Sequence, residues 1–186
     1  MADSLAGKLL VATPLLEDPN FYRTVIALLA HDEKGAFGVV LNRPLEGVEV
    51  DDHLPQWVEH VAAPSAVFAG GPVEPTMALG IAACKAADGG EDGWTQMAGD
   101  VGLLDLTLGP ADLRAELRRM RVYSGYAGWG EGQLEGEIEQ NAWFVVDAQP
   151  DDLFSDEPGT LWRRILLRQK GDMKIYAFFP EDASAN

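Results

Sequence analysis

The side chains of this chain that could do chemistry stand beside turn signals. Arg23 closes the run Asp18-Pro19-Asn20-Phe21-Tyr22-Arg23 and precedes a purely apolar stretch. Its guanidinium fork could therefore clamp an anion. The same run also reads as a turn in which Asp18 or Asn20 caps the backbone, Phe21 anchors the loop and Arg23 pairs with a nearby acid. Asn42 and Arg43 precede Pro44, which biases Arg43 toward an extended backbone and so fixes the direction of its side chain. Asn42 could hydrogen-bond a ligand or simply complete a strand-end turn. Gly70-Gly71-Pro72 could form an anion-holding nest of amides, or stop a strand. Between Gly125 and Glu135 lies GYAGWGEGQLE, with Tyr126 and Trp129 among four glycines, then Gln133 and Glu135. Such glycine density predicts a tightly wound turn whose aromatics plug a core or wall a pocket.

Acid–base chemistry would fall to carboxylates such as Glu135 and Asp18. Other schemes find less support. Ser124 lies in VYSGY, which lacks the first glycine of a nucleophile elbow. The Gly125 run has no lysine and neither glycine order of a nucleotide-binding loop, and Glu131 and Glu135 would repel phosphate there. His31, His53 and His60 match no metal-binding signature, and surface or capping roles suit them better. The single cysteine, Cys84, sits in an apolar stretch and reads as a small buried hydrophobe.

Composition bounds the setting. The 186 residues suit one domain spanning 1–186, and 47% hydrophobic against 24% charged residues indicates a globular chain. A formal net charge of −16 repels nucleic-acid backbones and anionic membrane surfaces. Neither a secretory leader nor an apolar stretch of membrane-spanning length is evident, which leads to the expectation of a cytoplasmic protein. Eight of the 14 Lys and Arg residues fall in two clusters, Arg114, Arg118, Arg119 and Arg121, then Arg163, Arg164, Arg168 and Lys170. Each could track a phosphate backbone from a helix, or compensate a helix macrodipole and pair with acids. The extended, glycine-rich VYSGYAGWG leaves no second helix for a helix-turn-helix.

The elements that must position these groups follow from periodicity. Residues 9–12 read as a strand stopped by Pro14. Residues 24–31 and 37–43 read as a hairpin around Asp32-Glu33-Lys34-Gly35. Helical turns are expected over 54–61, strands over 67–69 and 77–84, and a polar loop over 88–93. Residues 100–106 are ambiguous between strand and turn. Pro110 predicts a helix carrying the first arginine cluster. Residues 122–126 read as extended, 133–140 as helix, 143–147 as a buried strand, 160–169 as helix and 173–179 as a strand. Without regular βαβ alternation, the class is α+β with a mixed, mostly antiparallel sheet.

Four ordered motifs then fall together: GKLLVATPLLEDPNFYRTV (7–25), GVVLNRP (38–44), AGGPV (69–73) and GYAGWGEGQLEGEI (125–138). With the pair Leu161-Trp162 and the terminal Asn186, they resemble the YqgE/AlgH family of bacterial proteins over essentially the whole chain. That resemblance implies a sheet curled into a pseudo-barrel with flanking helices, and a label of transcriptional regulator. It supplies no catalytic residue, metal or cofactor. The expectation is a non-catalytic protein acting through a protein partner or small ligand, with Arg23, Asn42, Arg43, Gly70, Gly71, Tyr126, Trp129, Gln133 and Glu135 lining one face or cleft. The alternatives are a DNA-binding regulator using the Arg114–Arg121 segment, and a carboxylate-dependent hydrolase or transferase.

Overall fold

A computed structural model describes residues 3–85 and 93–181. Most of the acidic loop at 88–93 and the terminal Asn186 lie outside the described residues. Among them, ten strands form one sheet with the path β10-β1-β2-β3-β9-β6-β8-β7. Strand β1 (Lys8–Ala12) pairs antiparallel with β10 (Trp143–Asp147) and with β2 (Val25–Asp32). The predicted hairpin forms between β2 and β3 (Gly35–Val40), with a tighter connection than expected because Asp32 and Gly35 themselves pair.

Strand β9 (Glu116–Gly130) is where the sheet forks. Its C-terminal half pairs with β3, its N-terminal half with β6 (Val73–Lys85), and Tyr123–Ser124 also lie parallel to β5 (Ala66–Ala69). Strand β4 (Pro44–Glu49) pairs with β5, while β7 (Trp94–Ala98) and β8 (Val101–Leu104) extend the sheet beyond β6. The sheet curls so far that a Cβ placed on Gly7, beside β1, would lie 3.8 Å from Ala98 of β7. The fold is α+β: a mostly antiparallel, curled half-barrel flanked by α1 (Val50–His53), α2 (Gln133–Glu139) and α3 (Pro158–Leu167).

Strand alternation sorts the core into layers. Val25, Ala27 and Leu29 face the inside of the curl with Leu9, Phe68, Ile81 and Tyr123, and α3 closes that layer with Leu161, Trp162, Ile165 and Leu166. Ile26 and Leu28 face the other way, onto Trp129, Trp143 and Leu134 of α2. A third layer gathers Trp57, Cys84, Met120 and Val122.

Three sequence expectations are corrected here. The helix predicted from Pro110 is a 3-10 turn, Pro110–Asp112, after which Arg114 lies in the connection and Arg118, Arg119 and Arg121 in β9. Arg121 and Tyr123 are buried on one side of that strand and Met120 and Val122 on the other, a period of two that no helix supplies. The Gly125 run is not a wound turn either: β9 continues through Gly130, and the chain turns only at Gly132, in the left-handed region. Its glycines serve close approach. A Cβ on Gly71 would sit 2.2 Å from the Tyr126 carbonyl carbon, and one on Gly125 2.6 Å from the Gly71 carbonyl oxygen. Last, the strand expected over 173–179 is a 3-10 helix, Gly171–Phe178. Met173 and Tyr176, one 3-10 turn apart, pack onto the α3 layer instead of pairing with a strand.

Candidate functional site

The chain between β1 and β2 is a built loop. Asp18 accepts from the Asn20 amide at 2.8 Å, the Asx turn the sequence suggests, and its carbonyl accepts from Phe21 and Tyr22. Arg23 follows with φ 53°, an uncommon backbone for a residue with a side chain. Asn42 holds it there: its Oδ1 accepts from Val25 N–H at 2.9 Å and its Nδ2 donates to the Arg23 carbonyl at 2.9 Å. The amide thus takes the place of a strand partner where the hairpin ends. Arg43 adds donors to the carbonyls of Tyr22 (2.7 Å) and Pro19 (3.3 Å).

These residues wall a cavity of about 730 Å³ between the loop, α3 and the C-terminal segment. The Arg23 guanidinium lies 4.1 Å over the Trp162 ring and donates to the Phe179 carbonyl at 3.0 Å. Trp162 is fixed in turn by its indole N–H on the Ala12 carbonyl. Tyr22 donates its hydroxyl to the Glu181 carbonyl. Across the cavity, Arg163 stands 5.5 Å over the Phe178 ring, with no carboxylate partner within ion-pair reach among the described residues. Arg23, Asn42 and Arg43 therefore come together, joined by Tyr22, Trp162 and Arg163, which the sequence marks as part of a turn run, a motif pair and a basic cluster but not as neighbours of one cleft.

Trp129, Gln133 and Glu135 are elsewhere. They belong to the layer on the far side of the β1–β2–β3 sheet, with Phe21 wedged between Trp129 and Trp143 at centroid distances of 6.3 and 5.6 Å. The hub is Glu137, which lies within the 125–138 motif but is not among the expected site residues. One of its oxygens accepts both indole N–H groups, Trp129 at 2.9 Å and Trp143 at 2.8 Å, and the other accepts Gln133 Nε2 at 3.0 Å. Gln133 Oε1 returns to the Gly130 amide, stitching α2 to the end of β9.

Glu135 pairs with His31 Nε2 at 2.8 Å. Because His31 Nδ1 accepts the Leu5 amide, the ring proton sits on Nε2 and points at the carboxylate. Glu135's own backbone N–H and this imidazole hold its carboxyl below the usual value of 4.5, the opposite of what a general acid at neutral pH needs.

Gly70 and Gly71 make no anion nest. The Gly70 amide donates to the Ser124 carbonyl, its carbonyl accepts from Val40, and Gly71 is pressed against the Tyr126 peptide. Tyr126 packs against Phe37 with ring centroids 5.0 Å apart and planes tilted by 47°, facing the inside of the curl. The nine residues expected on one surface thus divide among three places. The basic clusters divide too. Arg121 is wholly buried, donating to the carbonyls of Ala63, Leu153 and Ser155 and lying 4.3 Å from the Phe68 centroid. Arg119 pairs with Asp151, Arg118 with Asp100 and Arg168 with the buried Asp152. Burial pushes the Cys84 thiol up to about 11, which leaves it protonated and inert.

The curled, forked half-barrel is a fold shared with solved bacterial proteins. The AlgH-like family model matches residues 9–174, and the chain belongs to that family. The UPF0301 protein of Streptomyces coelicolor is 48% identical over 186 residues, covering 98% of this chain and 96% of that one. A UPF0301 protein of Thermobifida fusca is 44% identical, with the same shares covered. Among solved structures, a Corynebacterium diphtheriae protein superposes with a TM-score of 0.82 at 32% identity, covering 93% of this chain and 91% of the other. The solution structure of the AlgH protein from Pseudomonas aeruginosa gives 0.69 at 26% identity, covering 98% of both.

Proposed function

We propose that this chain is a non-catalytic, cytoplasmic binding protein whose arginine cleft takes a small anionic ligand. The observation that carries this is Arg163: a guanidinium over an aromatic ring, in ion-pair reach of no described carboxylate, facing a cavity of about 730 Å³ whose lining sets Arg23, Arg43 and Arg163 against one carboxylate, Glu181. Arg23 and Arg43 keep one orientation because backbone carbonyls hold part of each fork, so an anion would meet donors already in place. Trp162 and Phe178 add flat apolar walls suited to a planar ligand body.

The geometry also supports a regulatory use. An anion on Arg23 competes with the Glu181 carboxylate, 4.0 Å from Nη2, so binding loosens the end of the C-terminal segment from the β1–β2 loop. A partner protein that recognises the segment in one position would then respond to the ligand. Calorimetric titration of inorganic phosphate and pyrophosphate into the wild type, Arg43→Ala and Arg163→Gln tests the site. Saturable binding weakened about tenfold by Arg163→Gln supports it, the loss expected for one charge-assisted contact. Equal affinity in a folded Arg163→Gln variant, or no binding of either anion to the wild type, overturns it.

A further inference from the structure

A second cavity, of about 380 Å³, opens at the other end of the curl and shares no lining residue with the arginine cleft. It is a continuation of the inner core layer. Leu9, Ala27 and Leu29 wall it from β1 and β2, Ala83 from β6, Val101 from β8, and Leu153 from the segment after β10. The space exists because Ala27, Ala83 and Ala98 stand where larger side chains would fill it. That segment is itself held firmly. Arg168 grips the buried Asp152 through both carboxylate oxygens, at 2.7 and 2.6 Å, and Asp152 accepts the Gln149 amide.

The mouth has a sign. Four charged side chains line the cavity, and three of them, Lys8, Arg118 and Arg119, are cations; Asp100 is the fourth. Two of the carboxylates that pair with these cations, Asp147 and Asp151, stand outside the lining, with side chains 86% and 85% exposed. Exposed pairs of this kind exchange partners at little cost. Arg119 lies on the same side of β9 as Arg121 and Tyr123, toward the inside of the curl, so its fork can turn from Asp151 to a head group at the opening.

We infer that this cavity binds a medium-chain aliphatic carboxylate, its tail among the core side chains and its head on Arg119, flanked by Lys8 and Arg118. The volume lies in the lower part of the range for small-molecule sites, about 300–1,000 Å³. An apolar floor with a cationic mouth selects an amphipathic anion over a neutral or cationic one of equal length.

Calorimetry on the full chain with octanoate, octanol and octyltrimethylammonium separates tail from head. The expected order places octanoate about tenfold tighter than octanol, with octyltrimethylammonium weakest. Arg119→Gln brings octanoate down to the octanol affinity and leaves octanol unchanged. Ala27→Leu fills the floor and removes binding of both; Ala98→Leu, on the sheet-edge strand β7, does the same from the rim if circular dichroism shows the first variant unfolded. Equal affinity for octanoate and octyltrimethylammonium overturns the inference. So does an absence of heat and of chemical-shift change with every probe at millimolar concentration, or binding that survives in a folded filling variant. Phosphate titration of Arg163→Gln is independent of all these outcomes.

Discussion

On one side of the β1–β2–β3 sheet, two tryptophan N–H groups and a glutamine converge on the Glu137 carboxylate; on the other, Arg23 and Arg43 donate to backbone carbonyls and Arg163 faces a ring. The Glu137 cluster is closed. Each donor has its acceptor, and Phe21 fills the gap between the rings. The arginine side is only partly satisfied and surrounds a cleft. Polar side chains near glycine-rich or turn segments thus serve two ends in one molecule. Where they meet one another they fasten elements together; where three arginines face a single carboxylate, Glu181 at 4.0 Å from Arg23, and otherwise carbonyls and rings, they retain capacity for a further partner.

If that contrast is right, variants of the closed cluster should cost stability and those of the open cleft should cost binding. Trp129→Ala has the largest expected effect, about 3–5 kcal/mol, since it deletes a ring 6% exposed and leaves a cavity against Phe21 and Trp143. Urea denaturation measures it, and a loss below about 1 kcal/mol would mean the cluster is not what secures α2. Glu137→Ala comes next, at about 2–3 kcal/mol, because the indole N–H groups of Trp129 and Trp143 lose their shared acceptor. A double cycle with Gln133→Ala should show coupling, as the two side chains bond each other at 3.0 Å.

Asn42→Ala sits between the two regions and sharpens the boundary. It removes both hydrogen bonds that hold the Arg23 backbone at φ 53°, with an expected loss of about 1–2 kcal/mol and a matching loss of anion affinity. Should stability fall without any change in phosphate titration, the orientation of Arg23 would not matter to the cleft. Arg163→Gln is expected to change the unfolding free energy by less than about 0.5 kcal/mol, since its guanidinium makes no hydrogen bond or ion pair among the described residues. A large destabilisation would make the Arg163–Phe178 contact structural and the cleft no different from the cluster behind it.

Much of the scaffold was legible from period and punctuation. The β2–β3 hairpin, β10, α2 and α3 each carry an apolar repeat bounded by Gly, Pro or polar residues. Of β9 only 122–126 read as extended, because both of its faces are buried and one of them buries an arginine, so alternation of apolar and polar residues is lost where the sheet forks. Asn42-Arg43-Pro44 could be picked out as a polar strand end, but its neighbours could not. Arg23 reaches Phe179 across 156 positions, and no local pattern reports such a pairing. Glu137 was hidden among the acids of an ordinary exposed helix pattern. The inner cavity rests on alanines, and alanine in a strand carries no signal that space is left beside it.

The smallest expected effect lies in pH. Glu135 caps the closed cluster from outside, bonded to its own backbone N–H and to His31, and its carboxyl is held below the ordinary 4.5. The unfolded chain therefore takes up this proton more readily than the folded one. The resulting stability is fully present above about 4.5 and drains away as pH falls through the lower, folded-state value. Denaturation midpoints followed from about pH 7 to about pH 3 should fall more steeply for the wild type than for Glu135→Gln, with a constant offset above the window. Parallel curves throughout would show that the His31 contact is lost to solvent, and that the closed cluster ends at Glu137.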